Sequence, residues 1–296
     1  MYTYEEQCVI NLADSYTLLH SFIVRALLDE CGVEGEQAAR EGVRRFGRDR
    51  AMNTRSKHLQ MGAKINMKSL FSLGGDLPTD PRFRRELQEL NPQERVSHTL
   101  ICPMADVWKA YGEREIGRLY CEEFHFACYN TYAYGYTQVN LAKTLTQEMD
   151  DYCAFNVILR PENLPEELRP VCFAEYDPGY VEPEFQRSGA KGKAGFSLLS
   201  IKLYYYLLEA AEERLGEKGT KAVEKSLQAM AKDAAFRLKK TAADYGKEIN
   251  TEFVDQNYTF SMDPDDDPAW DNYSKHDSVT RIKRYLIPLF TAELGK

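Results

Sequence analysis

The chain has 296 residues, of which 43% are hydrophobic and 28% charged, and carries a formal net charge of −8. That composition excludes a disordered chain, and the acidic balance excludes a nucleic-acid surface, which needs clustered Lys and Arg. The length suits two ordinary domains, or one large domain with an appended half.

At the N-terminus, Glu5 and Glu6 stand where a secretory leader would need a basic region and an apolar core. Cys8, Leu12, Tyr16, Leu19, Ile23 and Leu27 then recur at three- and four-residue steps, the stripe of an amphipathic helix. Gly32 and Gly35 end it, and a second helix is predicted over 36–61. The basic run inside that helix, 40–55, alternates with apolar residues and reads as a solvated face. A loop rich in Gly, Pro and Asp at 73–81 leads to a short charged helix at 83–90. A strand is predicted at 96–104, a helix at 113–132, and strands at 136–146 and 152–159 joined by a turn at Met149, Asp150 and Asp151. The proline-rich stretch 161–195 lacks the spacing of a phosphate loop and reads as a linker or mobile lid. The apolar stretch 196–211 is interrupted by Ser197, Ser200, Lys202 and Glu209 and is too short to span a bilayer.

The remainder repeats the beginning. Shifted by 184 positions, residues 22–66 lie without a gap on 206–250, so that Gly32 meets Gly216, Gly35 meets Gly219, Asp49 meets Asp233 and Asn66 meets Asn250. Further on, Leu100-Ile101-Cys102-Pro103 parallels Tyr285-Leu286-Ile287-Pro288, which predicts a second strand there. This pattern indicates an internal duplication whose second copy is truncated. Three segments are expected: 1–160 with the site, 161–195 as linker, and 196–296 as the truncated repeat covering the first half.

Four of the seven cysteines lie between 102 and 153. The odd count favours reduced thiols and a cytoplasmic location. Cys121, His125 and Cys128 fall on one helical face and are the zinc candidates; buried structural thiols and a catalytic thiol are the other two readings. A catalytic thiol at Cys102, Cys121 or Cys153 would need a depressed pKa, with Glu122, Glu123 or His125 as acid or base. Tyr129, Asn130 and Tyr132 supply polar groups for a pocket. The Asp263–Pro268 run resembles a calcium loop, but Pro268 and Ser274 stand where that loop needs Gly and Glu. His20, His58, His98 and His276 are scattered without ligand spacing.

Cys102-Pro103, Tyr111-Gly112, Ile116-Gly117, Tyr120-Cys121-Glu122, Tyr129-Asn130, Thr144-Leu145 and the run from Asp150 to Phe155 resemble the L-2-amino-thiazoline-4-carboxylic acid hydrolase family over roughly 15–160. The closing hairpin is also similar to 4-vinyl-reductase-type small-ligand domains. The resemblance implies an α+β fold with helices flanking a twisted antiparallel sheet. It implies hydrolytic opening of a C–N bond in a small cyclic amidine-like carboxylate, or, as the alternative, a non-catalytic ligand-binding or sensory module. The site residues expected are Cys102, Cys121, Glu123, His125 and Cys153 for chemistry. Tyr129, Asn130, Tyr132, Arg55 and Arg160 are expected to bind substrate, the two arginines, with Lys57, being candidates for the carboxylate. No cofactor is expected, zinc being the alternative left open. The expected partner is a small molecule, with neither nucleic acid nor membrane, and a homodimer is left open.

Overall fold

A computed structural model of the chain describes residues 2–185 and 192–295. Helix α1 (Tyr4–Gln60) opens with a reciprocal cap in which the Thr3 side chain accepts from the Glu6 amide and the Glu6 carboxylate accepts from the Thr3 amide. It consists of two arms that meet at Gly32, whose φ of 59° and ψ of −135° suit a residue without a Cβ. Behind the kink the arms approach closely: a Cβ on Gly35 would lie 2.0 Å from the Leu27 carbonyl oxygen. The same corner recurs between α6 (Gly192–Leu215) and α7 (Glu217–Tyr245). There Gly216 has φ 57° and ψ −138°, and a Cβ on Gly219 would lie 2.4 Å from the Ala211 oxygen. Asn66 caps α2 (Met67–Ser72) through the Ser69 amide at 3.0 Å, and Asn250 caps α8 (Thr251–Asn257) through the Phe253 amide at 2.9 Å. All of these pairs stand at the 184-residue offset.

The likeness stops at the sheet. Residues predicted as a charged helix at 83–90 form instead β1 (Arg84–Leu90), hairpinned to β2 (Glu94–Ile101) through a turn in which the Asn91 side chain accepts from the Gln93 and Glu94 amides. Phe83, Leu87 and Leu90 keep the spacing of a helical stripe, and it is pairing with β2 that decides the conformation. The strand predicted at 285–288 is helical: a π-helical turn (Ile282–Leu286) runs into α9 (Ile287–Leu294), and no strand occurs among the described residues after 191. Here Phe290 is buried against Tyr258, their rings stacked at 4.4 Å.

Between these parts come α3 (Pro103–Ala110), α4 (Arg114–Tyr132), β3 (Gln138–Lys143) and β4 (Cys153–Ile158). The sheet is antiparallel throughout, in the order β1-β2-β4-β3. The fold is therefore α+β, mostly helical, with one small sheet. Helix α4 lies between α1 and the sheet, touching Phe46 through Phe124 at 5.7 Å and Phe155 through His125 at 4.8 Å. Helices α6 and α7 cover α1 from elsewhere; a Cβ on Gly42 would lie 2.9 Å from Leu207.

The proline-rich segment is strapped down as far as it is described around α5 (Arg169–Cys172): Ile65 donates to the Val171 oxygen, Asn66 to that of Cys172, and Lys64 to Asp177. Residues 188–191 of its glycine-rich end lie outside the described residues. No helix among the described residues is long and apolar enough to cross a membrane.

Candidate active site

Strand β2 alternates Arg95, Ser97 and Thr99 on one face with Val96, His98 and Leu100 on the other. Hydropathy alone would turn the second face inward. The reverse occurs: Arg95, Ser97 and Thr99 are 1%, 0% and 2% exposed. In register on β4 beside them stand Val157, Phe155 and Cys153. From the exposed rim, Arg85 on β1 pairs with Thr99, and its Nε donates to Thr99 Oγ1 at 3.4 Å. The Arg95 guanidinium lies 4.1 Å from the ring centre of Phe71 and 5.7 Å from that of Phe155. Its Nη1 and Nη2, and Ser97 Oγ, are enclosed without a hydrogen-bond partner among the described residues. Burial, with Arg85 adding repulsion, lowers the Arg95 pKa to about 10, against a smaller favourable effect of Tyr129.

Helix α4 faces this stripe. Cys121, His125 and Tyr129 are each four residues apart and share one side. The His125 ring is edge-on to Phe155 and 5.5 Å from Tyr129, and its Nδ1 is enclosed and unpartnered among the described residues. Burial, reinforced by the charges of Arg85, Arg95 and Arg50, lowers its pKa to about 3, so the imidazole is neutral.

The Cys102, Cys121 and Cys153 thiols lie within electrostatic reach of one another and of this histidine's surroundings. Cys102 precedes Pro103 at the start of α3, close to the Met104 and Ala105 amides, which favour its thiolate; burial outweighs them and raises its pKa. Burial raises Cys121 further, and pushes Cys153 up to about 11 although its sulfur accepts from the Leu145 amide at 3.3 Å. This corrects the expectation of a depressed thiol pKa. All three rest protonated, because desolvation of the thiolate exceeds what the nearby amides supply.

Not every expected residue joins the group. Glu123 turns to the other side of α4, where Arg40 and Arg44 donate to it at 2.9 and 2.8 Å. Tyr132 shares a hydrogen bond of 2.8 Å with His58 Nδ1, and Asn130 donates to the Thr137 oxygen, holding the turn after α4. Arg55 donates to the Thr131 oxygen and lies over the Tyr134 ring; Arg160 donates to Gln93 just ahead of β2. Cys128 has Arg50 and Asp76 as its charged neighbours, not the other thiols, and burial pushes it up to about 12. No three His, Cys, Asp or Glu side chains among the described residues gather as a metal site, so Cys121, His125 and Cys128 do not assemble one. A cleft of about 760 Å³ elsewhere is lined by Asn53, Lys57, Asp76, Lys202 and Tyr273 among others, and by none of the polar stripe. The residues that sequence reasoning missed are Arg85, Arg95, Ser97 and Thr99. The alternation in β2 was the available signal.

A helix laid across a small antiparallel sheet, with an enclosed polar and cationic stripe facing it, defines an α+β protein. Residues 15–157, just under half of the chain, match the family model of L-2-amino-thiazoline-4-carboxylic acid hydrolase. No curated protein and no solved structure matches the chain.

Proposed function

We propose that the chain hydrolyses a small cyclic amidine-like carboxylate of thiazoline type, opening its ring at a C–N bond in the pocket between α4 and the sheet. The observation that carries this reading is the inversion of β2, which places polar side chains on the core face opposite a neutral His125 and three thiols. Buried polar groups are retained against their desolvation cost where they have work with a ligand. An all-apolar pocket would have suited a module that only holds its ligand.

In the reaction, water oxygen bonds to the ring carbon between sulfur and nitrogen, making a tetrahedral centre. The first water proton goes to the ring nitrogen; the ring C–N bond then breaks, the proton of the new hydroxyl follows, the nitrogen leaves as a primary amine, and the carbon becomes a carbonyl still attached to sulfur. His125, neutral at rest, takes the proton from water and returns one to the leaving nitrogen. Arg85 and the Ser97 hydroxyl offset negative charge as it develops. Protonated thiols favour attack by water over a resting thiolate.

The test is incubation of the purified chain with 2-amino-thiazoline-4-carboxylate, with ring-opened product followed by mass spectrometry. Turnover is expected, falling by about 10²–10⁴ in His125→Gln with the fold retained. Cys102→Ala is expected to keep measurable turnover and to lower stability by about 1 kcal/mol. Complete loss in Cys102→Ala with an intact fold would restore covalent thiol attack, and no ring opening by the parent protein would end the hydrolase reading for this substrate class.

A further inference from the structure

Apart from Arg95, the arginine buried among the described residues, Arg50, and the half-buried Arg82 come with acids. Arg50 grips Asp76 through two nitrogens at 2.8 and 2.5 Å, and Arg82 reaches Asp14 and Asp80, both at 2.7 Å. Arg95 is more enclosed than either and has no ion pair among the described residues. Its neighbours are the faces of Phe71 and Phe155, the Tyr129 side chain and a second cation, Arg85. A guanidinium taken out of water without a counter-charge is strongly unfavourable, and contact with aromatic faces returns only part of that. Placing another arginine beside it adds repulsion. An enclosed, partnerless guanidinium with a second cation and the partnerless Ser97 Oγ near it makes physical sense when an anion sits among them.

We propose that Arg95 is the anion anchor of this site, taking one carboxylate of a small ligand on Nη1 and Nη2. A planar carboxylate matches the two parallel donors of the guanidinium fork, which a lysine would not reproduce. The inference rests on the reading above that a small carboxylate occupies this pocket, and it names the residue that selects for the charge. It replaces Arg55 and Arg160, whose donors are engaged at the end of α4 and beside Gln93. The strand also orders the site: from Arg95 the inward positions run through Ser97 to Thr99, which is paired with Cys153. The anchor thus stands at one end and the thiols at the other.

The experiment compares binding of 2-amino-thiazoline-4-carboxylate and its carboxamide to the full chain by calorimetry, alongside melting temperatures. The parent protein is expected to bind the carboxylate at least ~30-fold more tightly than the carboxamide, the scale of a buried charge pair. Arg95→Met should bind both equally weakly and, without ligand, melt above the parent protein, because an unpaired buried charge has been replaced by an apolar chain of similar length. Arg95→Lys keeps the charge but not the fork, and should recover only part of the preference. Equal binding of the two probes by the parent protein would overturn the anchor even if turnover persists. So would a lower melting temperature in Arg95→Met with the preference intact. A preference that depends on Arg95 without any turnover would support the anchor and remove the hydrolase reading instead.

Discussion

Replacing His20 by Phe isolates what one enclosed imidazole does to the acid sensitivity of this fold. His20, on the first arm of α1, is 0% exposed, and neither ring nitrogen has a hydrogen-bond partner among the described residues. Its ring meets Tyr120 at 5.1 Å and Trp108 at 5.8 Å, both edge-on. Burial alone lowers its pKa from 6.5 to about 3. Below pH ~6.5 the unfolded chain therefore takes up a proton at this position that the folded chain does not. The stability tied to His20 is full above pH ~6.5 and falls by about 1.4 kcal/mol per pH unit as the pH drops toward ~3. At pH ~4.5 that is about 3 kcal/mol. A phenyl ring keeps the edge-on contacts, has no nitrogen to desolvate and does not titrate. Urea unfolding at neutral pH should place the two proteins within about 2 kcal/mol of each other, since relief of two unpartnered nitrogens opposes the slightly larger ring. At pH ~4.5 the difference should move by about 3 kcal/mol in favour of His20→Phe. His125 is common to both proteins and cancels. A difference that does not change between the two pH values would refute the reasoning, since it would mean that the His20 ring takes up its proton in the folded state.

Asp76→Asn removes the counter-charge from Arg50, which is buried against Phe46 and Phe124, and should lower stability by about 3 kcal/mol in the same assay. A loss under ~1 kcal/mol would show that water from the adjoining cleft hydrates the guanidinium instead. Glu123→Gln should change stability by less than about 1 kcal/mol and leave turnover unaltered, because its partly exposed pairs with Arg40 and Arg44 are surface ion pairs. Lost turnover with retained stability would return Glu123 to the chemistry.

Local patterns carried much of this structure. The helical stripe from Glu113 onward gave α4, and the turn at Met149, Asp150 and Asp151 joined β3 to β4, because both depend on neighbours within a few residues. The same periodicity put Cys121 and His125 on one side of a helix, and the glycines at 32 and 216 marked corners whose φ values only a missing Cβ makes comfortable. β1 was not legible in this way. Its residues carry charges at spacings a helix tolerates, and only the ladder offered by β2 makes them extended. Nor was the helix at 287–294, where the likeness of Ile287-Pro288 to Cys102-Pro103 suggested a strand end; a sheet edge to pair with is what the C-terminal part lacks among the described residues.

The candidate site divides along the same line. Which residues have the chemistry to act, a histidine and cysteines at helical and strand spacing, was determined by the sequence itself, since spacing sets which side chains share a face. Which face of β2 turns inward was decided by the tertiary structure alone. Alternation specifies two faces but not which one meets α4. Here the answer runs against hydropathy, because the polar side of the strand is the one turned inward, with Arg95 enclosed.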